Sequence, residues 1–150
     1  HASPNHPKSR GEITLNSSDP YDYPKILFNY LKEEEDLKQT RECIHVARKI
    51  LSQPALAEHA GDEVGPGFDA QSDDELNEYI RSKADTAYHP CGTCKMGVDD
   101  MAVVDQDLKV NGIGNLRVID ASVIPEIPSA NLNAPTLMIA EKGSEAILNN

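Results

Sequence analysis

An α+β fold is what this sequence predicts, and three observations carry the prediction. Glu12-Ile13-Thr14-Leu15-Asn16 alternates polar and apolar residues, the period of a half-buried strand. Residues 34–51, and a second run opening at Ser72, place apolar residues at the three- and four-residue steps of helices. The extended runs are too scattered among the helical ones for a regular βαβ alternation.

In chain order, residues 1–11 are polar, with two prolines, and read as a loop. The strand at residues 12–16 ends in the turn Ser17-Ser18-Asp19-Pro20, and Lys25-Ile26-Leu27-Phe28-Asn29-Tyr30 is a second extended run. Leu37, Thr40, Ile44, Ala47 and Leu51 then mark one helical face. Acidic residues open this helix and Arg48-Lys49 close it, as the macrodipole favours, and Pro54 breaks it. Residues 61–67 form a loop rich in Gly and acidic residues. Ser72-Asp73-Asp74-Glu75 is a capping-box sequence, and the helix it opens should bury Leu76, Tyr79 and Ile80. Leu108-Lys109-Val110 alternates like a strand and Asn111-Gly112 marks a turn. Leu116-Arg117-Val118-Ile119 reads as the best-defined strand. The last helix should begin near Asn133, with that residue as its N-cap, a proline tolerated in its first turn and its start buried.

Composition narrows the function. Fourteen Lys and Arg against 25 Asp and Glu give a net charge of −11, which leaves no basic stripe for nucleic acid and disfavours anionic lipid. Such a surface can steer a cationic substrate. Aromatic residues make up 5% and Trp is absent, so the core must rest on Ile, Leu, Val and Ala. Cys43, Cys91 and Cys94 do not make a disulfide framework and suggest a reducing compartment. No apolar run approaches the ~18 residues of a membrane span. The chain opens at His1 without a signal-peptide pattern and reads as part of something longer.

Four features carry chemistry. His89 heads a small-residue loop, Cys91-Gly92-Thr93, that leaves room beside the ring. It is either a loop residue before Pro90 or a general base, since imidazole titrates near operating pH. Cys91 and Cys94 form a C-x-x-C that fits half a zinc site, a redox pair or two small buried residues. The obvious further metal ligands are Cys43 and His45 alone, and the flanking glycines predict a loop rather than a redox helix, so the buried reading is favoured. Asp120, at the end of an apolar strand before Ala121-Ser122, can cap a turn or touch a cofactor's hydroxyls or pyrophosphate. Asn133 can cap a helix or hold a substrate oxygen.

Together these residues carry a resemblance. Residues 89–97 (HPCGTCKMG), Val103-Val104-Asp105, residues 116–122 (LRVIDAS) and 131–136 (NLNAPT) resemble the carboxy-terminal part of the glucose–methanol–choline (GMC) oxidoreductases. So do Pro7-Lys8-Ser9-Arg10-Gly11 and Asn29-Tyr30-Leu31, and the likeness, in order along essentially the whole chain, is greatest to choline-oxidising members. The resemblance implies an FAD-dependent oxidation of an alcohol, choline, to its aldehyde. On it, His89 matches the proton-accepting histidine and Asn133 the second active-site position. Asp120 and Ala121 match the motif that approaches the FAD ribityl and pyrophosphate, and Asn133, Ala134, Pro135 and Thr136 the backbone near the flavin's pyrimidine edge. It further implies an antiparallel sheet with packed helices as the substrate-binding part, over about residues 1–100, and a carboxy-terminal strand and helix, within about residues 101–150, that return to pack on an FAD-binding domain.

No G-x-G-x-x-G occurs here, so FAD would be held mainly by sequence beyond this chain, which is expected to be inactive alone. The electron acceptor is left open, and no metal is expected. The expected location is cytoplasmic or peripheral to the inner membrane. The competing readings are a GMC enzyme acting on another primary alcohol and, from a different class, a non-catalytic metal-binding or interaction module built on Cys91 and Cys94.

Overall fold

In the computed structural model, which describes residues 2–149, the chain packs as two compact units, one up to Asp85 and one from Thr86 onward. This division by packing puts His89 in the same unit as Asn133.

The first unit contains strands β1 (Glu12–Thr14) and β2 (Lys25–Leu27), helix α1 (Glu34–Leu51), a 3-10 turn at Pro54–Leu56 and helix α2 (Asp73–Lys83). The strands pair antiparallel with Ile13 opposite Ile26. The pairing agrees with the alternating pattern, but the expected half-burial is not met, and every residue of both strands is exposed. A two-stranded ladder buries nothing without a second layer. β2 also stops short of Tyr30, because Asn29 and Leu31 adopt left-handed backbone, with φ of 59° and 56°.

α1 and α2 pack on each other through buried Leu37, Leu76 and Ile80. Arg41 ties them further, donating to Asn77 Oδ1 at 2.6 Å and pairing with Asp73 at 3.2 Å. The capping box at the start of α2 is complete. Ser72 Oγ accepts from the Glu75 N–H at 3.3 Å, and the Glu75 carboxylate accepts from the Ser72 N–H at 2.9 Å. Pro54 ends α1 as expected, by way of the 3-10 turn. Two ion-based ties hold the loops. Buried Asp36 accepts from the N–H groups of Lys8 at 2.6 Å and Ser9 at 2.7 Å. Arg48 grips the Glu63 carboxylate together with the carbonyls of Gly67 and Ala70, which fixes the Gly-rich loop on α1.

The second unit is built on one apolar core of Val104, Leu108, Val123, Ile124, Leu132 and Ile139. Helix α3 (Asn133–Leu148) is its one long element, and a 3-10 turn, Ala121–Val123, precedes it. Residues 116–119, expected to be the best strand, form none. They are extended but joined to residues 108–110 only by a bridge between Lys109 and Arg117, flanked by Val110 N–H to Leu116 O and Val118 N–H to Leu108 O. The loop at residues 111–115 turns the chain, and the left-handed Leu108 and Asn115 limit the ladder to this short overlap. Gly143 of α3 lies against Ile119, where an added Cβ would overlap the side chain, clashing with Cγ2 and standing 2.8 Å from Cδ1. The missing side chain therefore sets how closely α3 approaches this segment. No helix among the described residues is long and apolar enough to cross a membrane.

Candidate active site

The sequence-expected site residues all sit on segments that converge on the second unit's core. The loop that follows His89 is stitched to the segment that follows Asp120. Cys94 N–H donates to Ser122 O at 3.0 Å and Met96 N–H to Val123 O at 2.9 Å. Gly92 is needed at that contact, with φ of 89° and the Ile124 carbonyl oxygen 3.3 Å from where a Cβ would stand. Cys91, Met96 and Ala121 pack against the core, and Leu132, buried within it, delivers the chain into Asn133. What the fold brings together is thus a backbone frame of three segments, the ones that carry His89, Asp120 and Asn133.

His89 is half-buried, between exposed Tyr88 and exposed Pro90. Its neighbourhood contains a feature that the sequence pattern did not reveal. Tyr88 has left-handed backbone, with φ of 60°, a conformation uncommon for a bulky residue and costing about 1–3 kcal/mol. Its N–H donates to Thr86 Oγ1 at 3.0 Å.

Asp120 performs the turn-capping task. Its Oδ1 accepts from the Ser122 N–H at 2.8 Å and from the Ser122 hydroxyl at 2.5 Å, so one carboxylate oxygen starts the 3-10 turn. The residue is exposed, and its Oδ2 is in none of the described hydrogen bonds. Ala121 is half-buried on the core and opens the turn.

Asn133 differs from expectation in its structural role. The N-cap of α3 is Leu132, and Asn133 is the first helical residue, with no side-chain cap at that end. Leu132 already has helical backbone (φ −73°, ψ −8°) because its side chain is anchored in the core, so the helix starts one residue early. The Leu132 carbonyl takes both the N–H and the hydroxyl of Thr136, at 2.9 and 2.7 Å. The Asn133 amide is thereby relieved of capping. The helix start is also more open than its apolar sequence suggested. Asn133 and Ala134 are exposed, Pro135 and Thr136 half-buried, and Leu137 and Met138 are 60% and 56% exposed. Only Leu132, Ile139 and Gly143 face inward completely, at the spacing of one helical stripe.

This geometry leaves few amides at the helix start. Pro135 has no N–H and the Thr136 N–H is used, so Asn133 and Ala134 supply the N–H groups that lack an i−4 carbonyl within the helix. An exposed apolar surface, Leu137 and Met138, lies beside them. Cys91 and Cys94 are half-buried in the stitched loop, and neither is in a disulfide. Among the described residues no group of three or more His, Cys, Asp or Glu is arranged to hold a metal ion.

The chain is similar to known proteins. The family model of the GMC oxidoreductase carboxy-terminal domain matches residues 7–140. An oxygen-dependent choline dehydrogenase of Klebsiella pneumoniae is 52% identical, covering 93% of this chain and 25% of that protein. One from Photobacterium profundum is 49% identical, covering 100% and 27%. Among solved structures, pyridoxine 4-oxidase from Mesorbium loti is similar with a TM-score of 0.90 at 33% identity, covering 97% of this chain and 28% of that one. A fungal aryl-alcohol oxidase has a TM-score of 0.87 at 35% identity, covering 97% and 24%. The chain therefore spans about a quarter of the length of these relatives. It belongs to the GMC oxidoreductase family.

Proposed function

We propose that this chain is the base-bearing carboxy-terminal part of an FAD-dependent alcohol oxidoreductase whose substrate is choline. The observation that carries the proposal is that the His89 loop and the start of α3 are built on one core, in a chain about half identical to choline dehydrogenases. Choline is a small cation, and the net charge of −11 suits its approach.

In this reading His89 accepts the hydroxyl proton, through whichever ring nitrogen faces it. Negative charge then grows on the substrate oxygen, where the imidazolium and the Asn133 amide stabilise it. Bound FAD would supply the hydride acceptor for the carbon that bears this oxygen, and the product would be betaine aldehyde. The residues present fit the cofactor. The Asn133 and Ala134 N–H groups, at the positive end of α3, suit the electron-rich pyrimidine edge of a flavin. Exposed Leu137 and Met138 offer apolar surface next to them. Pro135 holds the first turn without adding a donor, and Thr136 closes it through Leu132. Asp120, with Oδ2 left over from its capping bond, and the Ala121 backbone would serve the ribityl and pyrophosphate portion. In the finer division, residues up to about 100 shape the substrate side and residues 101–150 pack on an FAD-binding domain elsewhere in the protein.

The test uses the complete protein with choline and with an aromatic alcohol, under dioxygen and with a dye acceptor. A preference for choline is expected, and equal or better turnover of the aromatic alcohol would refute the substrate assignment. His89→Ala is expected to lower turnover by orders of magnitude with flavin retained. Near-parental activity would remove His89 from the role of base.

A further inference from the structure

We infer that Thr86 is a positioning residue for His89, acting through the left-handed backbone of Tyr88. The inference rests on the reading of His89 as the base. The peptide on either side of His89 is constrained, but by different means. Behind it, Pro90 restricts His89 to extended backbone, Cys91 is packed on the core and Gly92 sits tight against the Ile124 carbonyl. In front of it stands Tyr88 at φ of 60°, a strained conformation for an aromatic residue that needs outside support to persist. The support given to that residue is the hydroxyl of Thr86, which accepts the Tyr88 N–H at 3.0 Å.

Tyr88 is 77% exposed, so packing of its ring within this unit does not hold the backbone. None of the described hydrogen bonds or ion pairs engages the His89 imidazole itself. Its direction therefore follows from its backbone and two side-chain torsions. If the Tyr88 peptide relaxes to ordinary negative φ, the Cα–Cβ vector of His89 swings, and the imidazole loses its reach to the substrate hydroxyl. A misplacement of about 1 Å is enough to cost about a hundredfold in rate. Thr86 touches no reacting atom in this account and sets where the base points.

The experiment uses the complete flavin-loaded protein with choline, and compares Thr86→Val, Thr86→Ser and His89→Ala. Thr86→Val keeps the shape but removes the acceptor oxygen, while Thr86→Ser keeps the acceptor. Thr86→Val is expected to lower kcat tenfold or more with KM and flavin content within twofold of the parent. The pH at which kcat/KM rises should stay in place, since alignment and not basicity has changed. Hydrogen exchange at the Tyr88 amide should speed up in Thr86→Val and return to the parental rate in Thr86→Ser, along with kcat. Turnover of Thr86→Val within twofold of the parent, a loss that Thr86→Ser does not restore, or a loss traced to missing flavin would each overturn the inference. If His89→Ala is inactive while Thr86→Val is normal, this inference alone fails. If His89→Ala is itself near parental, the base assignment fails and the inference with it.

Discussion

Replacing Asp36 by asparagine changes one atom's chemistry at a site that anchors the Pro7-Lys8-Ser9-Arg10-Gly11 segment. Asp36 is 3% exposed, and its two carboxylate oxygens accept from the Lys8 and Ser9 N–H groups at 2.6 and 2.7 Å. Burial pushes its pKa up, but the N–H bonds from Lys8 and Ser9, the Ser9 side chain and the Arg10 charge outweigh that and hold it below the usual carboxylate value. Asparagine keeps one carbonyl acceptor and points its NH2 at the other N–H. The substitution therefore loses one charge-assisted bond and orphans a donor, about 2–4 kcal/mol in all. Native-state hydrogen exchange at the Lys8 and Ser9 amides should accelerate about 30- to 700-fold, at about 1.4 kcal/mol per factor of ten.

The pH dependence follows from the direction of the shift. Because the folded pKa is depressed, the stabilisation is present above the unfolded value of about 3.9 and is lost as pH falls through the folded pKa. Parent and variant should thus converge under acid. Exchange within threefold of the parent at neutral pH, or a gap that persists undiminished in acid, would refute this account of the anchor.

Two further substitutions test other joints of the fold. Gly143→Ala places a methyl group against Ile119, costing about 1–3 kcal/mol of overpacking against about 1 kcal/mol gained in helix propensity. Denaturation of the complete protein should show lower stability, and the penalty should vanish or reverse in an Ile119→Ala background; equal effects in both backgrounds would show that the two do not meet. Ser72→Ala removes the hydroxyl that accepts the Glu75 N–H and should cost about 1 kcal/mol, read as faster exchange in the first turn of α2. Unchanged protection there would mean the cap contributes nothing to that helix.

Local chemistry made some of this structure legible from sequence and left other parts to packing. α1 spans Glu34–Leu51, the residues that the spacing of Leu37, Ile44 and Leu51 and the charge placement indicated. The capping box at Ser72 formed as its residues required. Such features depend on neighbours within about one helical turn, so the order of residues contains them. Membership of the GMC family was readable for a related reason: HPCGTCKMG and NLNAPT are contiguous strings.

The expectations that failed depended on what lies across space. The Glu12–Thr14 strand pairs but remains exposed, since alternation states which face could be buried and not whether a second layer exists. Asn133 has good capping chemistry, yet Leu132 took the cap because burial of its side chain fixed helical backbone one residue earlier. The left-handed turn of Tyr88 has no glycine to announce it, and it is held by a hydroxyl two residues away. The sequence by itself determined the span of α1, the capped start of α2 and the family, and it singled out His89 and Asn133 as the candidate base and amide. The tertiary structure decided where these two stand, by anchoring Cys91, Ala121 and Leu132 in one core. The physical reason is that hydrogen-bonded caps and helical faces are local, whereas an apolar core is a choice among distant partners and sets the backbone on which a catalytic side chain is mounted.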